Sequence, residues 1–449
     1  MKLLQGERRT NNGSAISSMS LQQNDLADLI EAHWLSLPSQ GNIYSMTKLK
    51  SSNNSHKVLV ASLKRKIYSC EYHPCPTWYL RPLVKEQLFT YIPSGAEIIS
   101  IDAYNKQDSG NELVIGVTLI KQNNESSVER YLNIYTEGVG DGDSEESSSI
   151  ESIAQNCLMV ELNYTPYHLY HTFLPPTDAG SEIVWLISGD DQNIHMIRED
   201  KLSHGYAEIA IEKYFPELAD LRAVALKIDI YYYANSKKRL TVVGCKCGLV
   251  KVSLIDVEKF VIIKCWTLRY DSPVCSVNIF PDRMKIHTPE FIKHLDSTKN
   301  EKSDENPFLN ILIVNALNGT VVFTDVLNLG MTSDVTLIKI ESTDCVLCSC
   351  IADINMDGKN EILLGTYDQE LIIFTLRGNI WELTNRKQFD APIYSIAYVD
   401  LTGDGVKELI VMTQQGVHIM QHDPKEVNRK WKKRLNDLLS RNLLSTPGT

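Results

Sequence analysis

One pattern is written twice near the C-terminus. It reads Asp353-Ile-Asn355-Met-Asp357-Gly358-Lys-Asn-Glu361-Ile-Leu-Leu-Gly-Thr366 and, 47 residues later, Asp400-Leu-Thr402-Gly-Asp404-Gly405-Val-Lys-Glu408-Leu-Ile-Val-Met-Thr413. A repeat of 20–50 residues is typical of solenoids, propellers and other arrays. Each copy has an apolar strand before the polar loop and two further apolar runs after it, so the repeating unit is made of β-strands.

Four such strands make one propeller blade, and blades arranged in a circle leave no long exposed sheet edge. Similar units recur upstream of the repeat, with weaker loops. The sequence therefore predicts an all-β fold, a seven-bladed β-propeller with FG-GAP-like blades, followed by a short C-terminal helix. The predicted domains are an N-terminal extension (1–40), the propeller (41–422) and a basic C-terminal helix and tail (423–449).

The two ends of the chain differ in character from the predicted ring. Residues 1–22 are polar and are predicted to be disordered, and residues 24–34 are predicted to form a short amphipathic helix. At the other end, Asp423 suits an N-cap and Pro424 the first helical position. The acidic segment 141–149 and the charged segment 281–306 are predicted to be surface insertions.

Composition excludes several classes of protein. The chain has 449 residues, 43% of them hydrophobic, with 45 Lys and Arg against 56 Asp and Glu, for a formal charge of −11. This charge argues against broad binding to nucleic acid or to an anionic membrane. The N-terminus lacks the apolar core of a signal peptide, and no run of 18 apolar residues occurs. The ten cysteines lack framework spacing, so we predict a cytoplasmic protein with free thiols.

The repeated loops are candidate calcium sites because they alternate oxygen donors around a glycine turn. The candidate ligands are Asp353, Asn355, Asp357 and Glu361 in the first loop and Asp400, Thr402, Asp404 and Glu408 in the second. The alternative is that Asp and Gly only shape the hairpin, through hydrogen bonds to backbone amides. No other cofactor is predicted.

Other clusters of reactive residues have simpler interpretations. Cys345, Cys348 and Cys350 lie within a strand pattern rather than in paired zinc-knuckle spacing. His168 and His171 lie in a strand rich in aromatic residues. No nucleophile elbow, phosphate loop or zinc-protease motif is present, so the chain is predicted not to be an enzyme. An enzyme that uses the propeller channel remains the alternative.

Two resemblances to known families follow from these residues. The Asp loops and their flanking strands resemble the FG-GAP repeats of integrin α-subunit propellers. A resemblance along nearly the whole predicted ring is to the kaptin family. It is carried by residues 89–106, 152–158, 215–218, 399–405 and 417–422.

The kaptin resemblance implies a non-enzymatic scaffold or adaptor subunit of a KICSTOR-like complex. Such a subunit is expected to pair with a second FG-GAP propeller protein and a large scaffold subunit. The complex would recruit the GATOR GAP complex to the lysosomal surface and restrain TOR signalling on amino-acid or glucose starvation. The alternative that the resemblance implies is binding to actin filaments of the cytoskeleton, for which a local basic patch such as 430–434 would be needed.

Overall fold

The computed structural model describes residues 29–51, 55–74, 80–106, 112–123, 127–136, 150–177, 180–200, 205–281, 307–317, 319–332, 334–337, 345–378 and 380–444. The predictions of disorder at 1–22 and of an acidic insertion at 141–149 lie outside these residues. The prediction of an insertion at 281–306 also lies outside them, apart from its first residue.

The described residues form twenty-eight strands, arranged in seven antiparallel sheets of four strands each. The first strand, β1 (Leu29–Ser36), belongs to the last blade. Blades 1 to 3 contain β2 (Met46–Lys50), β3 (His56–Ala61), β4 (Ile67–Pro74), β5 (Leu80–Gln87); β6 (Ala96–Asn105), β7 (Leu113–Gln122), β8 (Val128–Tyr135), β9 (Cys157–Glu161); and β10 (Pro166–Thr177), β11 (Gly180–Gly189), β12 (Ile194–Asp200), β13 (Gly205–Ile209).

The remaining blades follow the same order. Blades 4 to 7 contain β14 (Ala225–Tyr233), β15 (Lys238–Cys245), β16 (Leu249–Asp256), β17 (Val261–Arg269); β18 (Val274–Pro281), β19 (Leu309–Asn315), β20 (Thr320–Phe323), β21 (Asp334–Thr336); β22 (Val346–Ala352), β23 (Glu361–Thr366), β24 (Glu370–Arg377), β25 (Ile380–Gln388); and β26 (Ile393–Val399), β27 (Glu408–Thr413), β28 (Gly416–His422) with β1. The predicted seven-bladed propeller is confirmed.

The ring closes because the first described strand pairs with the last. Strand β1 runs antiparallel to β28, from Leu29 opposite His422 to Ser36 opposite Gly416. The prediction of a helix over 24–34 is therefore wrong from residue 29 onward. The predicted propeller boundary at residue 41 also falls too late, because the strand that completes blade 7 lies before it. A short alternating pattern on an edge strand resembles a short amphipathic helix, and only the pairing with β28 distinguishes the two.

The hydrophobic core is divided into seven clusters, one between each pair of neighbouring blades. The middle strands are buried on both faces, and every residue of β19, β23 and β27 is buried. The cluster between blades 7 and 1 includes Val58 and Val60 from one blade and Ile410 from the other. Each blade therefore depends on both neighbours to cover its apolar faces, as stacked repeats do.

Three short helical segments and one long helix complete the described fold. They are α1 (Ile150–Ile153), a 3-10 turn (Ile211–Lys213), α2 (Val326–Leu329) and α3 (Pro424–Leu444). Helix α3 begins as predicted, because the Asp423 carboxylate accepts a hydrogen bond from Lys425 N at 2.9 Å. Among the described residues, no helix is long and apolar enough to cross a membrane.

Candidate functional sites: Asp loops, central channel and outer rim

The first Asp loop joins β22 to β23 and is held by its own acidic side chains. The Asp353 carboxylate accepts hydrogen bonds from Asp357 N at 2.9 Å and from Gly358 N at 2.8 Å. Glu361 accepts one from Ile354 N at 2.8 Å. Gly358 has a φ of 89°, a backbone conformation that residues with a Cβ rarely adopt. The loop thus turns sharply around the Asp353 carboxylate.

The second loop, between β26 and β27, repeats this geometry. Asp400 accepts hydrogen bonds from Gly403 N at 2.6 Å and Gly405 N at 2.8 Å, and Glu408 accepts one from Leu401 N at 2.7 Å. The third-position side chain of each loop donates to the closing glutamate. Asn355 Nδ2 does so to Glu361 at 2.8 Å in the first loop, and the hydroxyl of Thr402 to Glu408 at 3.1 Å in the second.

The closing glutamates are buried, with 1% of Glu361 and 3% of Glu408 exposed. Burial raises the pKa of Glu361 to about 9, and the Asp357 and Asp353 carboxylates add to the rise. Burial likewise raises the pKa of Glu408 to about 7. Within the described residues, no group of three or more His, Cys, Asp or Glu side chains is placed to hold a metal ion. The calcium sites stay a prediction.

The loop hydrogen bonds lead to a test that does not depend on a metal. We expect Asp353→Ala to lower the free energy of unfolding by about 1–3 kcal/mol in the presence of a chelator, because two backbone amides lose a charged acceptor. Urea unfolding measures this change, and Asp368→Ala, in an exposed turn of the same blade, is the matched control. Equal effects of the two substitutions would contradict the structural role of Asp353.

A calcium titration followed by thermal melting tests the prediction that the loops bind calcium. Bound calcium would raise the melting temperature of the wild-type protein, and Asp357→Ala would remove the part of that rise that comes from the first loop.

Polar side chains join neighbouring blades around the central channel. Asp102 in β6 contacts His171 in β10 twice. Its carboxylate accepts a hydrogen bond from His171 N at 2.8 Å and pairs with His171 Nδ1 at 2.7 Å. Asp229 in β14 accepts one from Ile279 N at 2.6 Å in β18. Burial lowers the pKa of His171, but Asp102 more than offsets this and the pKa lies above its usual value. These pairs were not predicted, and Asp102 lies within β6, whereas Asp353 and Asp400 directly follow the ends of β22 and β26.

The cysteine and histidine candidates from the sequence lie in β-strands or directly next to one. Cys348 and Cys350 lie in β22, where burial raises the pKa of both thiols. Cys345 immediately precedes this strand, and no disulfide joins the described cysteines. His168 in β10 is buried, and its pKa lies well below the usual value because of that burial. Of the three cysteines only Cys348 is buried, and His168 and His171 both lie in β10.

The outer rim carries an exposed apolar strand. In β17, the outermost strand of blade 4, Val261 is 54% exposed, Ile262 36% and Ile263 47%. The chain bulges here, since Ile255 pairs with Ile262 and Leu254 with Lys264, which leaves Ile263 outside the register. The outermost strands of the flanking blades, β13 and β21, are only five and three residues long. The first half of β17 is therefore exposed on both faces, whereas Trp266 and Leu268 in its second half pack against the core between blades 4 and 5.

A ring of seven four-stranded blades closed by its own two ends defines the class of seven-bladed β-propellers. The match to a chain in the crystal structure of BBS1N in complex with ARL6DN supports this fold, with a TM-score of 0.50, 7% identity and coverage of 88% of this chain and 98% of that chain. The chain is also similar to a structure of the Dos1 propeller, with a TM-score of 0.47, 9% identity and coverage of 89% of this chain and 97% of that one.

Sequence comparison defines the family. The model of the family described as "KICSTOR complex protein kaptin" matches residues 29–432. The Mus musculus "KICSTOR complex protein kaptin" is 34% identical over 399 residues, which cover 88% of this chain and 88% of the mouse protein. The chain belongs to the kaptin family. The family match begins at residue 29, the first residue of β1, so it includes the strand that closes the ring.

Proposed function

We propose that this protein is a non-enzymatic adaptor subunit of a KICSTOR-like complex. Family membership supports a place in such a complex, and the rigid ring supports an adaptor because its rim presents many separate surfaces. On this proposal its partners are a second FG-GAP propeller protein and a large scaffold subunit. The assembly recruits the GATOR complex to the lysosomal surface from the cytoplasm and restrains TOR signalling when amino acids or glucose run short.

The observation that carries the proposal is the exposed apolar strand β17. Contiguous exposed apolar residues mark protein-interaction surfaces, and an outermost strand offers unpaired backbone groups to an added strand. Among the residues the structure describes, Val261 to Ile263 is the longest run of exposed large apolar residues. Its occupant would be an extended segment of another subunit of the complex, with apolar side chains facing β17.

We expect Ile263→Lys to reduce copurification of the other complex subunits from cells by roughly tenfold or more, because a charge would be buried in the apolar interface. Quantitative mass spectrometry after affinity purification measures this. The matched control is Ile380→Lys, which changes an isoleucine that is 64% exposed on the outer strand of blade 6. Equal recovery of partners with both variants, at unchanged melting temperatures, would exclude β17 as the docking strand.

The GATOR and TOR steps of the proposal need a cellular measurement. Starved cells that carry the Ile263→Lys protein should keep TOR active and lose GATOR from lysosomes, whereas the Ile380→Lys control should respond normally.

Direct association with actin filaments is the second candidate function. It is favoured by helix α3, on which Lys425, Arg429, Lys432 and Lys433 lie exposed while Trp431 is partly buried. Because the whole chain carries a charge of −11, this local basic face would have to supply the attraction to acidic filaments. Cosedimentation of purified protein with filaments distinguishes the two functions, since an adaptor without actin binding would stay in the supernatant.

A further inference from the structure

A cavity of about 380 Å³ lies in the central channel. It is lined by residues at or near the innermost strands of blades 1, 4, 5, 6 and 7. Its volume falls in the range typical of small-molecule sites, which runs from about 300 to 1,000 Å³. Neither the Asp loops nor the outer rim contributes to it, so the cavity is separate from the surfaces described above.

The charged side chains that line the cavity are all positive. Lys48 and Lys227 line the cavity, and none of its lining residues is Asp or Glu. The Lys407 ammonium adds positive charge nearby, because it lies 5.7 Å from the centre of the Tyr398 ring, which also lines the cavity. In a chain with a formal charge of −11, a cavity with two lysines and no acid departs strongly from the average surface.

The spare hydrogen-bonding groups of the lining are largely donors. Asn278 uses its Oδ1 to accept a hydrogen bond from Ser349 at 2.5 Å, so the side-chain group that it can still offer a ligand is the Nδ2 donor. Within the described part of the chain, no hydrogen bond or ion pair engages the Lys227 ammonium or the Ser395 hydroxyl. The other hydroxyls are used internally, as in the bond from Tyr44 to Leu226 O at 2.7 Å.

The acidic side chains next to the cavity already have hydrogen-bond partners in the protein. Asp102 pairs with His171, and Asp229 accepts the hydrogen bond from Ile279 N. Burial raises the pKa of Asp229 to about 6, against the opposing effects of the Ile279 amide and the Lys227 ammonium. Burial lowers the pKa of Lys227, against the opposing effects of Asp229 and Asp102. No acidic side chain lines the cavity itself, so a negative group bound there would add to the counter-charges that Asp229 and Asp102 supply from outside the lining.

We propose that the central channel binds a small oxyanion, the phosphate or carboxylate group of a metabolite, between Lys227 and Lys48 with Asn278 and Ser395 as neutral donors. Apolar side chains such as Ile279, Ile351 and Ile396 complete the wall and would contact the ligand's carbon skeleton. A zwitterion is disfavoured because its ammonium group would meet no acidic side chain in the lining.

The test measures binding of inorganic phosphate, citrate and glycine to the full-length protein by calorimetry, at constant ionic strength in chloride. We expect phosphate, citrate or both to bind, and glycine not to. Lys227→Met should weaken that binding roughly ten- to a hundredfold, because a charged hydrogen bond is lost. Lys264→Met, which removes an exposed lysine of β17, is the control and should leave binding unchanged.

A second pair of variants keeps the proposal testable if Lys227→Met fails to fold. Ser395→Asp adds a carboxylate to the lining and should abolish oxyanion binding, whereas the neutral Ser395→Asn should retain it. Binding of phosphate alone identifies a phosphate-bearing ligand, and binding of citrate alone identifies a carboxylate. The proposal is overturned if neither anion binds the wild-type protein, if glycine binds as tightly, or if Ser395→Asp binds as well as Ser395→Asn.

Discussion

Arg239→Met is expected to lower the free energy of unfolding by about 3–5 kcal/mol, because it leaves a buried carboxylate without its partner. Arg239 in β15 is 0% exposed, and Glu217, in the segment before β14, is 1% exposed. Their bidentate pair has Nε to Oε1 at 2.8 Å and Nη2 to Oε2 at 2.9 Å. Arg239 also donates to Tyr214 O at 2.6 Å and stacks on Phe215, with its guanidinium carbon 4.3 Å from the ring centre.

Urea unfolding of two further variants separates this pair from a general loss of packing. Adding Glu217→Gln to Arg239→Met removes the unpaired charge while leaving an amide near Thr241, so the double variant should be more stable than Arg239→Met alone. Arg222→Met breaks an exposed pair with Asp220 and should leave the unfolding midpoint unchanged. If the double variant is less stable than Arg239→Met, the cost comes from packing rather than from the charge.

Residues 215–218 show which kind of contact the sequence does not predict. They contribute to the kaptin resemblance, yet nothing in the sequence predicts that Glu217 is buried against an arginine 22 positions later. The contact depends on how the segment folds back over blade 4, and no local pattern encodes that path. The Asp loops behave differently, because each is contained within ten residues and its hydrogen bonds join near neighbours in sequence. Their shape, like the helix start at Asp423, could be predicted.

The channel and the blade contacts depend on pairs distant in sequence. Gly244 in β15 has no special backbone angle, but a Cβ there would lie 2.5 Å from Val274 of the next blade. A Cβ at Gly365 would likewise lie 2.6 Å from Ile393 of blade 7. Both glycines therefore permit close blade packing, a role that appears only when the ring is assembled. Lys227 and Lys48 likewise share a cavity although 179 positions separate them.

Removal of β1 is expected to have the largest effect of any change to the ring. A chain that starts at residue 41 loses Leu29 and Leu37, which are 4% and 8% exposed, and leaves β28 without its outer partner. Burial of each leucine contributes about 1.5–3 kcal/mol, and the lost ladder and the partly buried Leu35 add to this. A typical domain has a net stability of only about 5–15 kcal/mol.

We therefore expect the chain that starts at residue 41 to lose its cooperative thermal transition and to aggregate. A chain that starts at residue 23 keeps β1 and should melt as the full-length protein does. Because β1 joins the ring through a single antiparallel pairing with β28, a synthetic peptide of residues 27–38 should restore the transition of the shorter chain. A cooperative transition within a few degrees of the full-length value in the chain from residue 41, without peptide, would show that three strands suffice for blade 7.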